Sequence, residues 1–283
     1  MADYAHPEVL VSIDWLKQNL DKPNIRVVEV DVDPKLYVAG HIPGAVGFDW
    51  TTQLQDQVNR DILSKEGFEA LLRKAGIKNS DTVVLYGDAS NWFAAYGFWL
   101  FKIYGHQDVR LLNGGRAGWL NAAGVPLTPD VPSPKPSDYK VAKVDASLRA
   151  HAPEVLEASK TQKQALVDVR SPDEFTGKVI APPGMSETAQ RGGHVPNATS
   201  IPWSTAVNTE TNFFRSADEL RSIYLDQKKL DPKKPTIAYC RIGERSSHTW
   251  FVLTYLLGFP KVKNYDGSWT EYGNLIGVPI EKP

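Results

Sequence analysis

At 283 residues with a formal net charge of -1, the chain is long enough for two domains of ordinary size and lacks the basic excess of a nucleic-acid binder. Its composition, 42% hydrophobic and 23% charged, is that of an ordinary soluble protein, and no apolar run reaches the ~18 residues that a membrane span needs. A single cysteine excludes an intramolecular disulfide and a dithiol redox pair; with no basic start or apolar core to read as a signal peptide, a reducing cytoplasm is the expected compartment.

Along the first half, β-branched runs at 26–30, 82–86 and 109–112 predict buried strands, and apolar periodicity predicts helices over 64–75 and 92–104. The segment Gly40-His41-Ile42-Pro43-Gly44-Ala45 lies between the first two strands. A proline-dense stretch at 127–136 cannot continue a helix or a central strand and predicts an extended surface linker. The second half repeats the pattern, with strands at 165–169, 236–239 and 262–265 and helices over 217–226 and 246–257. It also carries Gly193-His194-Val195-Pro196-Asn197-Ala198. His41 and His194 stand 153 positions apart, and the same spacing pairs Trp50 with Trp203, Tyr86 with Tyr239, Gly105 with Gly258 and Gly114 with Gly267. A register held over that length means two copies of one α/β domain, 8–127 and 151–283, joined by a linker over 128–150. Each copy is expected to hold a mostly parallel central sheet flanked by helices on both faces.

The duplication sorts scaffold from chemistry. His41, His194, Trp50 and Trp203 occur in both copies and read as scaffold. The copies part company just after Tyr86 and Tyr239: Cys240 faces Gly87, Arg241 faces Asp88 and Arg245 faces Trp92. In the first strand, at a spacing of 139, Asp168 matches Glu29 while Arg170 faces Asp31. The change in spacing from 139 to 153 places an insertion within 171–193, leaving the strand edge where ligands bind in open parallel sheets. This insertion is expected to wall or cover the site, with Arg191 in reach of a bound anion.

Cys240 opens the run Cys240-Arg241-Ile242-Gly243-Glu244-Arg245-Ser246 between a strand and a helix. Backbone N–H groups of such a turn converge on its centre, the helix dipole favours negative charge there, and two arginines flank it. All three favour a thiolate, the nucleophilic form of cysteine. The remaining sequence offers no metal-ligand spacing and no glycine-rich phosphate loop, so no cofactor is expected.

The duplicated domain, the paired Gly-His-x-Pro-x-Ala segments, Asp168-Val169-Arg170, the Cys240 loop and Asp266-Gly267-Ser268-Trp269 together resemble the two-domain rhodaneses. These are thiosulfate sulfurtransferases, with mercaptopyruvate sulfurtransferases as near relatives. The resemblance implies two tandem rhodanese-like domains and a ping-pong reaction at Cys240. Cys240 would take the outer sulfur of thiosulfate, release sulfite, and pass the sulfur from its persulfide to a thiophilic acceptor: cyanide, a thiol or a partner protein. Arg241 and Arg245 would bind the anionic donor. Ile242, Gly243, Glu244 and Ser246 would complete the substrate-binding loop, and Asp168 would orient Arg170. Cysteine phosphatases place five residues between the cysteine and its arginine; here there are four, a smaller ring that suits one sulfur atom. Arg241 matches the thiosulfate enzymes, whereas Ile242 matches neither group, so thiosulfate is the expected donor. 3-Mercaptopyruvate as donor, or a carrier role beside another protein, are the alternatives. Neither nucleic acid nor membrane is an expected partner.

Overall fold

A computed structural model describes residues 3–122, 124, 126–184 and 188–283, which fall into two units. The first comprises Glu8–Ala146 and Thr209–Phe214; the second comprises residues 3–7, Ser147–Asn208 and Arg215–Pro283.

In the first unit, strands β1 (Leu10–Val11), β2 (Ile25–Glu29), β3 (Val46–Gly47), β4 (Thr82–Tyr86) and β5 (Val109–Leu112) form one sheet in the order β1-β5-β4-β2-β3. All its pairings are parallel. The central strand β4 reads Thr-Val-Val-Leu-Tyr and is buried at every position. An unbroken apolar run suits a strand covered on both faces, and β-branched side chains pack well on the pleat. In the second unit, β6 (Ala165–Asp168), β7 (Ala198–Ser200), β8 (Thr236–Tyr239) and β9 (Val262–Tyr265) form a parallel sheet in the order β7-β6-β8-β9. That order repeats β3-β2-β4-β5 of the first unit without its edge strand β1. Because all strands run the same way, Asp168 and Tyr239, which are register partners, lead into loops at one edge.

The repeat extends to single hydrogen bonds. Ile42 N donates to the Tyr86 hydroxyl at 2.9 Å, and Val195 N donates to the Tyr239 hydroxyl at 3.1 Å. His41 stacks on Tyr37 and His194 on Phe175, each ring Nδ1 lying 2.8 Å from the main-chain oxygen of its stacking partner. Both histidines are buried scaffold. Trp50 is buried and stacked on Phe93, whereas Trp203 is only half-buried and meets His248 edge-on.

Two features differ from the sequence reading. The helices expected over 217–226 and 246–257 each begin as α-helix, at Ala217–Arg221 and Glu244–Phe251, and continue as a π-helical turn, at Ser222–Gln227 and Val252–Leu256. The stretch expected as a linker packs on the first unit up to Ala146. Its Thr128 pairs with His41, Ser137 N donates to Arg73 O at 2.9 Å, and Tyr139 is fully buried. Proline excludes regular structure there, yet the intervening tyrosine and valine still find core. Among the described residues no helix is long and apolar enough to cross a membrane.

Candidate active site

Strand β8 ends at Tyr239 and delivers Cys240 to the edge of the sheet, where the thiol is fully buried. The chain then turns through Gly243, whose φ of 106° lies in the region that favours glycine. A Cβ there would stand 2.8 Å from Asp266 Cα, so the turn needs glycine for both conformation and space. The Gly243 N–H points back and donates to Cys240 Sγ at 3.1 Å. The helix Glu244–Phe251 starts immediately afterwards, aiming its positive end at the loop.

Three polar side chains fix this turn from below. Ser268 Oγ accepts from Cys240 N at 3.0 Å and donates to Tyr265 O at 2.6 Å. Ser246 Oγ donates to Asn264 Oδ1 at 2.6 Å and lies 3.6 Å from the sulfur. Asn264 Nδ2 donates to Gly243 O at 3.1 Å.

The charged residues of the loop are buried with it. Arg245 makes a two-pronged pair with Glu174, at 2.9 and 3.1 Å. Glu244 lies between the two arginines: its Oε1 is 3.5 Å from Arg245 Nε and 4.0 Å from Arg241 Nη2. Its Oε2 is 3.3 Å from Cys240 Sγ and accepts the thiol hydrogen. Ile242 is buried at the turn. Glu174 is absent from the sequence reading. Its signal was a capping box, Ser171 and Glu174 at the start of the short helix Pro172–Phe175, and both reciprocal capping bonds are present.

These contacts change the electrostatics expected from sequence. Burial pushes the Cys240 thiol up, and the Glu244 carboxylate pushes it further; Arg245, Ser246 and the Gly243 N–H pull it down without prevailing. The resting sulfur is therefore held as a thiol rather than a thiolate. Burial alone would raise the Glu174 carboxyl, but its hydrogen bonds and charge pairing with Arg245 outweigh burial and hold it below the usual range. His248, one turn along the helix, is driven by burial down to about 3 and stays neutral.

Asp168 and Arg170 form a fully buried pair in which the guanidinium Nε and Nη2 both donate to the carboxylate. Arg170 also donates to Gly193 O at 2.7 Å and lies 4.5 Å from the centre of the Trp269 ring. Arg191 is placed differently from the sequence expectation. Its guanidinium donates to the main-chain oxygens of Gly273, Leu275 and Val278, at 3.0, 2.5 and 3.2 Å. These carbonyls end the helix Ser268–Tyr272 and the turn after it, where orphaned oxygens accumulate. Arg191 thus clamps the C-terminal turn instead of facing an anion. Residues 185–187 of the expected insertion lie outside the described residues.

The equivalent loop in the first unit is filled by its own side chains. Asn91 Oδ1 accepts from Gly87 N at 3.0 Å while its Nδ2 donates to Leu112 O at 2.8 Å. Asp88 accepts from Val32 N, and Asp31 accepts from Asp88 N at 2.8 Å. Glu29, the match of Asp168, pairs with Arg116 instead of the neighbouring strand-end residue.

Two stretches, 12–122 and 151–275, match the rhodanese-like domain family. A Saccharopolyspora erythraea protein provisionally named a thiosulfate sulfurtransferase is 56% identical over 98% of this chain and 97% of its own. The sulfur carrier protein TtuD of Thermus thermophilus is 54% identical over 99% of this chain and 98% of its own. Among solved structures, the 3-mercaptopyruvate sulfurtransferase SseA of Escherichia coli superposes with a TM-score of 0.80 at 26% identity, covering 92% of this chain and 98% of its own. An anaerobic ergothioneine biosynthesis enzyme of Chlorobium limicola superposes with a TM-score of 0.86 at 26% identity, covering all of this chain and 72% of its own.

Proposed function

The chain belongs to the rhodanese-like family, and on that premise we propose that it is a sulfurtransferase that carries sulfur as a Cys240 persulfide. The observation that carries this reading is the position of the sole cysteine: centred in a turn, with the Gly243 N–H on its sulfur and a helix N-terminus behind it. Thiosulfate is a small-molecule donor for this turn. The Cys240 thiol gives its proton to a solvent base, and the thiolate attacks the outer sulfur. A new S–S bond forms as the donor's own S–S bond breaks, and the electron pair leaves with sulfite. The terminal sulfur of the persulfide anion then passes to a nucleophilic acceptor, a thiol or cyanide, and the thiolate is regenerated. The turn's N–H groups and helix dipole offset the persulfide charge. Arg241 and Arg245 offset the charge on the departing sulfite.

A second reading, that another protein loads Cys240, is favoured by one feature of the site. The formal charges of Arg241, Arg245, Glu174 and Glu244 cancel, so the loop offers a dianion less attraction than its two arginines suggest. Intact-protein mass after exposure to thiosulfate, beside Cys240→Ser, tests the main reading. Gain of one sulfur on the wild type alone, lost to cyanide with release of thiocyanate, is expected. Absence of any gain would overturn thiosulfate as donor, and repeating the exposure with 3-mercaptopyruvate separates that donor from loading by a protein.

A further inference from the structure

Glu244 touches the nucleophile and both loop arginines at once. One carboxylate oxygen faces Cys240 Sγ at 3.3 Å; the other faces Arg245 Nε at 3.5 Å and Arg241 Nη2 at 4.0 Å. A small anionic sulfur donor must make the same two contacts, its outer sulfur on the thiol and its charged head on the guanidiniums. The side chain is 2% exposed, so water does little to screen it. We propose that Glu244 is a resident anion in the donor's seat, a specificity-determining residue that makes each negative charge on an incoming donor unfavourable, so that thiosulfate loads Cys240 more slowly than a sulfane donor of lower charge.

This inference rests on the persulfide reading of Cys240 and adds the class of donor. The other charged groups around the turn do not change its sign. Glu174 matches Arg245 from the segment after β6, Arg149 pairs with Asp266 beside Gly243, and His248 is neutral. The rise of the Cys240 thiol, caused first by burial and next by Glu244, agrees with a carboxylate lying against the sulfur. On this view a dianion such as thiosulfate meets a repulsive carboxylate at the point of attack. A persulfide or thiosulfonate donor with one charge, or a protein-borne persulfide whose charge is offset by its own surface, meets less.

The test compares wild type with Glu244→Gln, which keeps shape and removes charge. Because the chain has one cysteine, the difference in absorbance near 240 nm between each protein and its Cys240→Ser counterpart, which cancels the tyrosines, titrates Cys240 alone. Persulfide formation is then timed by intact mass with thiosulfate, a dianion, and methanethiosulfonate, a monoanion. The titration midpoint in Glu244→Gln is expected to fall by about one unit or more, a roughly tenfold gain in thiolate at neutral pH. After correction for thiolate fraction, the rate with thiosulfate should rise about tenfold more than the rate with the monoanion. A midpoint that stays or rises overturns the contact between carboxylate and thiol. Equal gains for the two donors, in a wild type that loads normally, overturn the donor selection alone. If neither protein gains sulfur from either donor, the persulfide reading falls and the donor selection falls with it. Circular dichroism of Glu244→Gln, with Glu244→Asp as a charged variant that stands back from the sulfur, distinguishes misfolding from a change in charge. Glu244→Asp is expected to lie between wild type and Glu244→Gln in both readouts, and a value outside that interval counts against the proposal.

Discussion

Replacing Glu174 by alanine removes the carboxylate that meets Arg245 with two hydrogen bonds, at 2.9 and 3.1 Å, in a site where neither side chain is more than 4% exposed. It also removes the acceptor for Ser171 N at 3.0 Å. Breaking a buried pair while leaving its partner charged costs about 3–5 kcal/mol, because the stranded guanidinium stays desolvated. Glu244 beside Arg245 Nε softens this, so a loss near the lower end, about 3 kcal/mol, is expected in urea unfolding followed by tryptophan fluorescence at pH 7. The pH dependence supplies a second check. Arg245 holds the Glu174 carboxyl below its ordinary range in the folded chain, so its contribution is fully present above the unfolded pKa of about 4.3. It is lost as pH falls through the lower, folded value. The gap between wild type and Glu174→Gln should therefore be widest near neutrality and close below about pH 4. A loss under about 1 kcal/mol at pH 7, the range of an exposed pair, would refute the account of Arg245 as a buried charge held by Glu174.

Three further outcomes follow from the geometry. Ser268→Ala leaves the buried Cys240 N–H without its acceptor and should cost about 1–3 kcal/mol in unfolding free energy; an unchanged midpoint would count against this role. Alkylation of Cys240 by iodoacetamide at pH 7 should be at least about tenfold slower than that of free glutathione, and should go on accelerating above about pH 8.5, where the rate of a free thiol levels off, since the thiol is buried and pushed up; equal rates would contradict this. Asp31 is driven by burial, with Glu29 adding to it, up to about 8, far above the ~3.9 of an unfolded chain. The wild type thus gives up stability as pH climbs towards 8, and Asp31→Asn, uncharged throughout, should gain on it more at pH 8 than at pH 5 in thermal melts.

What the sequence made legible was whatever is local or repeated. Short runs rich in β-branched and apolar residues mark β2, β4 and β8 because a parallel strand covered on both faces needs no regular polar alternation. The spacing between His41 and His194 reveals the duplication because each fixes the same turn by the same stacking contact. The Cys240 turn is legible because its glycine, its helix start and its arginines are neighbours in sequence. What was not legible depends on partners far along the chain. Arg245 finds Glu174 across 71 positions, and Arg191 finds carbonyls more than 80 positions away, where any of several anions or oxygens would have served an arginine equally well. The thiolate expectation erred for the same reason. Counting charges along the loop gives two cations, but burial and the placement of Glu244 decide which form of the sulfur the fold holds.

The halves of the sequence and the physical units do not share a boundary. Ala5 N and His6 N donate to the carbonyls of Leu256 and Tyr255, at 3.0 and 2.9 Å, so the first residues of the chain finish the unit that holds Cys240. In return, Asn212 accepts from Ser90 at 2.7 Å and Phe214 N donates to Asn113 at 3.0 Å, so a short loop from the second half completes the first unit. The order of synthesis is thus not the order of completion. The first unit waits for residue 214 to leave the ribosome, and the opening residues must stay available until residue 256 has been made. A gene cut midway would yield two fragments, each missing a piece carried by the other, and the ancestral duplication can no longer be undone by a single scission.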